Sequence, residues 1–442
     1  MNEVIKNVVK IEWLRALTSS RTRRLSKEGL WIVLGQIASV LGSIVLVKVL
    51  TEYLSPTQYG HLALGMTLAG FTNQVIMGGV SSSIGRFYSI ASEREGISSY
   101  LIASIKLLGF ATIAIAVIAL VLMSGLFWFD YSQWMGLVVA ALVFSVLAGY
   151  NGALNSIQNA ARQRGVVAFH SGINNWLKIL LVVGVMIWLG HSSTAVLIGY
   201  AMASLLVNAS QVVFLRRLII YDDGESQAVT DWLRQMWAFS WPFSVFGLFT
   251  WAQQVSDRWA LQSFASTHEV GLYAVVFQLG YTPVSLATGM MVTFLGPILY
   301  QRSGNATDET RNAMVHRITW RITFVGLLVT AIVFVITIFL HDWIFHLLVA
   351  SQYHSVSHFL PWAVLAGGFF AAGQMLSLKL MSELKPASMI VAKIATAIVG
   401  VCANMYGAVQ FGMKGVIVAL VGFSGIYLLW MASLSKYKVV DQ

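Results

Sequence analysis

The sequence predicts an all-α, polytopic membrane protein with twelve transmembrane helices arranged in two six-helix lobes. Hydrophobic residues make up 57% of the 442 residues and charged residues only 10%, whereas charged residues make up about 25% of typical soluble domains. So few charges cannot cover the surface of a soluble chain of this length. The net charge of +10 therefore indicates sorting of basic residues across a bilayer, and it does not indicate nucleic acid as a partner.

Each predicted span is a run of about 20 mainly apolar residues, the length that crosses the hydrocarbon core. The runs are long and do not alternate, which favours helices over barrel strands. In chain order, the predicted spans are 29–50, 59–83, 100–125, 134–157, 165–189, 193–215, 237–256, 270–299, 318–340, 358–381, 387–410 and 413–434.

The distribution of basic residues predicts that both termini lie in the cytoplasm. In that orientation only Lys48, Arg258 and Lys414 fall on the outer side, and 22 of the 28 Lys and Arg residues fall on the inner side. The predicted domains are a cytoplasmic basic segment (1–28), an N-terminal lobe (29–218), a cytoplasmic linker (219–236), a C-terminal lobe (237–434) and a cytoplasmic tail (435–442). The basic segment is either an amphipathic helix on the inner membrane surface or a disordered tail.

The two halves show a weak internal repeat at an offset of 211 residues. Seven of the 39 positions from 50 to 88 are identical in the second half, and Gly60 matches Gly271. Because each half has an even number of spans, the repeats share one orientation. Such parallel repeats usually flank a central cavity.

Polar residues inside spans are costly in hydrocarbon and therefore point to function. Span 5 carries His170, Asn174 and Lys178 on one helical face, at i, i+4 and i+8. Polar faces in spans 3, 4 and 6 and the cytoplasmic end of span 2 could face the same space. The predicted substrate-binding residues are Lys178, Asn174, His170, Lys106, Arg86, Asn151, Asn155, Asn208 and Trp176.

These residues predict a cationic cavity in the N-terminal lobe that binds an anionic, sugar-bearing head group. The alternatives are that the amide stripes join helices, that the lysines extend to the interface and that Trp176 packs in the core.

The outer end of span 7 carries Asp257 and Arg258, with Gln253 one turn earlier and Gln278 on span 8. These four residues could form an outer gate or take part in ion coupling, and an interfacial salt bridge is the alternative. No metal site or cofactor is predicted, and no Walker A motif supports ATP-driven transport.

Four stretches resemble bacterial polysaccharide flippases: LTEYLSPTQYGHLAL (50–64), GGVSSSIGRFYS (78–89), SDRWALQSFASTHEVGLYAVVFQLG (256–280) and GPILYQ (296–301). This family is the oligosaccharide branch of the superfamily that also contains multidrug exporters. The resemblance implies a V-shaped pair of lobes that moves a lipid-linked oligosaccharide across the bacterial inner membrane by alternating access. It implies a polyprenyl diphosphate carrier and a pathway leading to O-antigen (lipopolysaccharide), capsule or exopolysaccharide.

The implied partners are this lipid-linked oligosaccharide, membrane lipids and the polymerase and chain-length proteins of the same pathway. On this interpretation the chain is not an enzyme. A cation-coupled multidrug exporter and, less favoured, a membrane-embedded polysaccharide polymerase are the alternative functions.

Overall fold

The computed structural model describes residues 20–93, 96–216, 229–303, 308–382 and 386–436. Within these ranges the chain forms helices joined by short turns, and it forms no β-strand. The predicted all-α membrane fold is confirmed. The predicted amphipathic helix in the basic segment lies almost entirely outside the described residues, as does most of the predicted tail.

The N-terminal half contains seven α-helices in the described residues. They are α1 (Ser20–Tyr53), α2 (Pro56–Phe71), α3 (Gly78–Glu93), α4 (Ile97–Trp128), α5 (Met135–Ala160), α6 (Arg164–Leu189) and α7 (Ser193–Arg216). A π-helical turn, Thr72–Met77, joins α2 directly to α3. Ser55 caps α2 by accepting a hydrogen bond from the Gln58 backbone N–H, and Pro56 occupies the first helical turn.

The C-terminal half contains α8 (Val229–Phe264), α9 (Thr267–Ser303), α10 (Glu309–Leu348), a 3₁₀ segment (Ser351–Phe359), α11 (Leu360–Ser382) and α12 (Pro386–Lys436). The last helix reverses direction at Gly412, where φ is 57° and ψ is −136°. Its two arms then pack closely, because a Cβ on Gly407 would lie 2.6 Å from the backbone of Gly415.

Nine segments of the described chain are long and apolar enough to cross a membrane. The chain is therefore a multi-pass membrane protein. The second predicted span (59–83) is not among the nine, because the π-turn divides it into two short helices. Helix α8 is not among them either, because it carries several polar residues. The number twelve remains a prediction, although α12 contributes two arms.

The two halves meet through reciprocal contacts between α2 and α9. A Cβ on Gly271 would lie 1.8 Å from the Pro56 carbonyl oxygen, and a Cβ on Gly60 would lie 2.0 Å from the Thr267 carbonyl oxygen. Pro56 and Thr267 are 211 residues apart, as are Gly60 and Gly271. Each contact is therefore the counterpart of the other, which is what a two-fold axis between repeats produces.

The α2–α9 contact lies at the end of the molecule that the predicted topology places outside, called here the outer end. There the 3₁₀ segment also reaches across to α1. The Gln352 side-chain amide donates hydrogen bonds to the carbonyls of Thr51 (3.0 Å) and Leu54 (2.9 Å), and the Tyr353 hydroxyl donates to Leu54 (2.8 Å). These contacts join the two halves at the outer end.

At the opposite, inner end, α8 packs against the N-terminal half. Trp232 is fully buried, and its ring lies 5.8 Å from that of Tyr100 on α4 and 6.1 Å from that of Phe87 on α3. The predicted linker (219–236) is therefore helical from Val229 onward, and it buries Trp232 and Met236 against the N-terminal half.

Candidate functional site

A cavity of about 900 Å³ lies between the two halves, and both contribute to its walls. Its lining starts at Tyr59 on α2, beside the α2–α9 contact at the outer end, and continues to Val292 on α9 and Lys393 on α12. The prediction placed the cavity within the N-terminal lobe. The structure corrects this placement, because helices of the C-terminal half form much of the wall.

Among the described residues, three cationic side chains line this cavity, namely Lys178 on α6, Arg258 on α8 and Lys393 on α12. The Lys178 ammonium lies over two aromatic rings, 5.4 Å from the centre of Phe144 and 5.2 Å from that of Tyr200. Within the described residues, neither lysine is within salt-bridge distance of a carboxylate. The two ammonium groups are therefore available to an anionic ligand.

Asp257 is the sole carboxylate among the described residues that line the cavity, and both of its oxygens are occupied. Oδ1 accepts a hydrogen bond from the Arg258 backbone N–H (2.7 Å) and lies 3.4 Å from the Arg258 guanidinium. Oδ2 accepts from the Tyr273 hydroxyl at 2.5 Å. The guanidinium itself lies 4.6 Å from the centre of the Phe277 ring. Arg258 offsets the charge of Asp257, so the cavity keeps a net positive charge from the two lysines.

Amide side chains add hydrogen-bonding groups to the same walls. Gln74, in the π-helical turn after α2, donates to Gln254 on α8 at 2.8 Å, and this bond links the two halves. Gln253 and Gln278 line the cavity as well, and the Gln278 side-chain oxygen accepts from the Thr282 hydroxyl at 3.3 Å. Such groups can bind hydroxyls and phosphate oxygens.

Five of the thirteen residues predicted for the site line the cavity: Lys178, Gln253, Asp257, Arg258 and Gln278. The other eight do not: Arg86, Lys106, Asn151, Asn155, His170, Asn174, Trp176 and Asn208. Arg86 and Lys106 are exposed on the surfaces of α3 and α4.

The amides of α5 and α7 bond to one another instead of facing the cavity. Asn151 donates to Gln211 (2.8 Å), Gln211 donates to Asn155 (2.7 Å), and Asn208 donates to the Leu147 carbonyl (2.8 Å). Hydrogen bonds of this kind join helices in a membrane. The prediction that these three asparagines line the cavity is therefore corrected.

Two other predicted residues of α6, His170 and Trp176, contact neighbouring helices. His170 is buried, with Nδ1 2.8 Å from the Val166 carbonyl and Nε2 3.0 Å from the Ser210 hydroxyl of α7. The Trp176 indole donates to the Ala38 carbonyl of α1 at 3.1 Å. Asn174, one turn beyond His170, lies outside the cavity lining, and Asn175 takes its place.

In the C-terminal half, the sequence pointed to lining residues of α8 and α9 but not to those of α11 and α12. Lys393 on α12 and Gln374 on α11 line the cavity, as does Asn404 on α12. The repeat contained the missing signal, because Lys393 lies in predicted span 11, the counterpart of span 5, which holds Lys178. In the described residues, no group of three or more His, Cys, Asp or Glu side chains is placed to hold a metal ion.

Comparison with solved structures shows which class of protein has this fold. The chain is similar to the lipid II flippase MurJ in an inward closed conformation (TM-score 0.67, 14% identity, covering 93% of this chain and 87% of that one). It is also similar to a multidrug resistance MATE family transporter of the MOP superfamily in an outward-facing conformation (0.60, 16%, 92% and 94%). A MATE transporter from Vibrio cholerae gives a TM-score of 0.61 at 16% identity, covering 93% of this chain and 95% of the other.

The chain therefore shares its polytopic membrane fold with a flippase and with transporters. A family model described as polysaccharide biosynthesis protein matches residues 25–303, more than half of the chain. The chain belongs to this family. No curated protein sequence matches it.

Proposed function

We propose that the chain is a flippase for a lipid-linked oligosaccharide carried on a polyprenyl diphosphate. The substrate would cross the bacterial inner membrane by alternating access and supply synthesis of O-antigen, capsule or exopolysaccharide. The single observation that carries the proposal is the central cavity, in which Lys178 and Lys393 have no anionic partner among the described residues.

The charge of the cavity favours an anionic head group. A cation at membrane depth is costly unless water or an anion compensates it. The two oxygen-rich phosphates of a lipid diphosphate would satisfy both ammonium groups through charge-assisted hydrogen bonds. A cationic drug, in contrast, would have to bind beside three cations, and Asp257 is already bonded to Arg258 and Tyr273.

The size of the cavity also fits this substrate class. A volume of about 900 Å³ is near the upper end of the range for sites that enclose drug-sized ligands, roughly 300–1,000 Å³. This is enough for a diphosphate with attached sugars, while the polyprenyl chain stays in the bilayer. The family description and the likeness to a lipid II flippase are in line with this substrate.

The same proposal includes the membrane in which the chain lies and the proteins that use its product. The chain would lie in the inner membrane with both termini in the cytoplasm. The closed outer contact and the cavity lining that extends toward Lys393 would then correspond to a state that receives substrate from the cytoplasmic side. A polymerase and chain-length proteins would use the product outside.

The test is complementation of a deletion strain with cavity variants. Lys178→Ala and Lys393→Ala should each weaken substrate binding about 10- to 150-fold, because a hydrogen bond to a charged group contributes about 1.5–3 kcal/mol. Surface polysaccharide should fall, and lipid-linked intermediates should accumulate on the cytoplasmic face. Lys106→Ala, an exposed lysine outside the cavity, is the matched control.

Equal membrane levels of all variants must be verified by immunoblotting. Normal polymer export by the Lys178→Ala, Lys393→Ala double variant would contradict the proposal. Sensitivity of the deletion strain to cationic dyes, with unchanged surface polysaccharide, would support the multidrug exporter instead.

A further inference from the structure

An aromatic row runs along the wall that the C-terminal half gives to the cavity. Phe277 and Tyr281 of α9 stack at 4.6 Å between ring centres, with an interplanar angle of 19°. Tyr281 lies 6.1 Å from Phe370 of α11, and Phe370 stacks on Tyr427 of α12 at 5.1 Å. The row therefore connects three helices without interruption. All four residues belong to the cavity wall, but Tyr427 is almost fully buried and Arg258 lies over the Phe277 ring, so Tyr281 and Phe370 are the rings of this row that a ligand can reach.

Side-chain amides lie beside this row on two of the same helices. Gln278 follows Phe277 on α9, and Gln374 is one turn after Phe370 on α11; both line the cavity. Their side-chain oxygens accept hydrogen bonds from Thr282 and Ser377. Their Nε2 groups have no hydrogen-bond partner among the described residues and can donate to a ligand.

The opposite wall, from the N-terminal half, has a different chemistry. Its lining mixes polar residues, among them Gln74 and Asn175, with six aliphatic ones: Leu46, Val47, Leu50, Leu62, Ala63 and Met66. Its charged lining residue is Lys178, whose ammonium already covers the rings of Phe144 and Tyr200. The stacked aromatic row therefore belongs to the C-terminal wall, which also carries Arg258 and Lys393, whereas the N-terminal wall carries the aliphatic groups and Lys178.

We propose that the aromatic row binds the sugar rings of the substrate through Tyr281 and Phe370, with Gln278 and Gln374 donating to sugar hydroxyls. Pyranose rings have C–H faces that pack against the negative faces of aromatic rings, while their hydroxyls need polar partners at the ring edge. An apolar surface bordered by free amide donors meets both needs. The inference rests on the proposed function and divides the ligand between sugar rings at the aromatic row and diphosphate at the lysines.

The test compares two probes on purified full-length protein in nanodiscs: farnesyl diphosphate and the same lipid with one hexose attached to the diphosphate. Wild-type protein should bind the sugar-bearing probe more tightly. Tyr281→Leu and Phe370→Leu should each lower the ratio of the two affinities, sugar-bearing probe over farnesyl diphosphate, by about 2- to 10-fold, the range expected for one aromatic contact. Their affinity for farnesyl diphosphate should be unchanged, which also shows that the variants are folded.

The matched control is Phe334→Leu, which removes an aromatic ring that packs on Trp362 outside the cavity lining. It should leave the affinities for both probes unchanged. Lys178→Ala should weaken the binding of both probes to a similar extent.

Equal affinity of wild-type protein for the two probes would overturn the sugar-binding row and leave the proposed function standing. A loss of affinity for both probes in Tyr281→Leu and Phe370→Leu would also overturn it. Failure of wild-type protein to bind either probe would overturn both the row and the proposed function.

Discussion

Substitution of Gly271 by alanine should open the outer end of the molecule. The new Cβ would lie 1.8 Å from the Pro56 carbonyl oxygen, whereas ordinary van der Waals contact begins at 3.4 Å. The two helices must therefore separate by about 1.6 Å, the difference between these distances. Overpacking of this kind costs about 1–3 kcal/mol, which shifts the equilibrium away from the closed outer end by about 5- to 150-fold.

Cysteine labelling can measure this shift. Cys402, the single native cysteine, is replaced by serine, and Met66, which lines the cavity, is replaced by cysteine. A membrane-impermeant maleimide added from outside should label the probe cysteine faster in Gly271→Ala than in the parent. Gly60→Ala, which changes the reciprocal contact, should act in the same direction.

Gly289→Ala is the control, since it lies on the same helix and a Cβ there has no atom within 4 Å. It should label at the parental rate. If Gly271→Ala labelled no faster than the parent, the α2–α9 contact would not hold the outer end closed. If Gly289→Ala labelled equally fast, the effect would come from alanine in α9 and not from the contact.

Three further substitutions test the packing described above. Gln211→Leu leaves the Asn151 amide without an acceptor and should lower the free energy of unfolding by about 1–3 kcal/mol, which would be measured as a lower Tm in detergent. An unchanged Tm would show that the amide hydrogen bonds between α5 and α7 add no stability. Tyr353→Phe removes the bond to the Leu54 carbonyl and should speed outside labelling of the cavity cysteine modestly, whereas an unchanged rate would show that this bond does not hold the outer end. Gly415→Val places a side chain against the facing backbone of α12 and should prevent folding, so that size-exclusion chromatography gives no monodisperse peak. Recovery of such a peak would refute the close packing of the two arms of α12.

The sequence predicted the fold class well, because membrane spans follow from the length of apolar runs. The predicted repeat also paired the glycines at positions 60 and 271, and these two residues do meet in the structure. It did not predict the π-turn between α2 and α3, nor the buried helical start of α8. Both depend on packing between segments that are far apart along the chain.

The candidate site was predicted in part. Lys178 was identified from its position deep in a span, where a lysine is costly, and it does line the cavity. The orientation of the other polar residues on α6 could not be determined, because both faces of this helix carry polar groups. His170 faces Ser210 on α7, while Asn175 lines the cavity. In a sequence, a polar residue that bonds to a neighbouring helix cannot be distinguished from one that lines a cavity.

The buried start of α8 has a consequence for how the molecule is assembled. The boundary between the two halves along the chain does not coincide with the boundary between them in space, because Trp232 of the second half is inserted into the core of the first. The covalent link at 217–228 is then not what holds the halves together. Two fragments expressed separately, with the break in that stretch, should associate in the membrane and copurify as a complex.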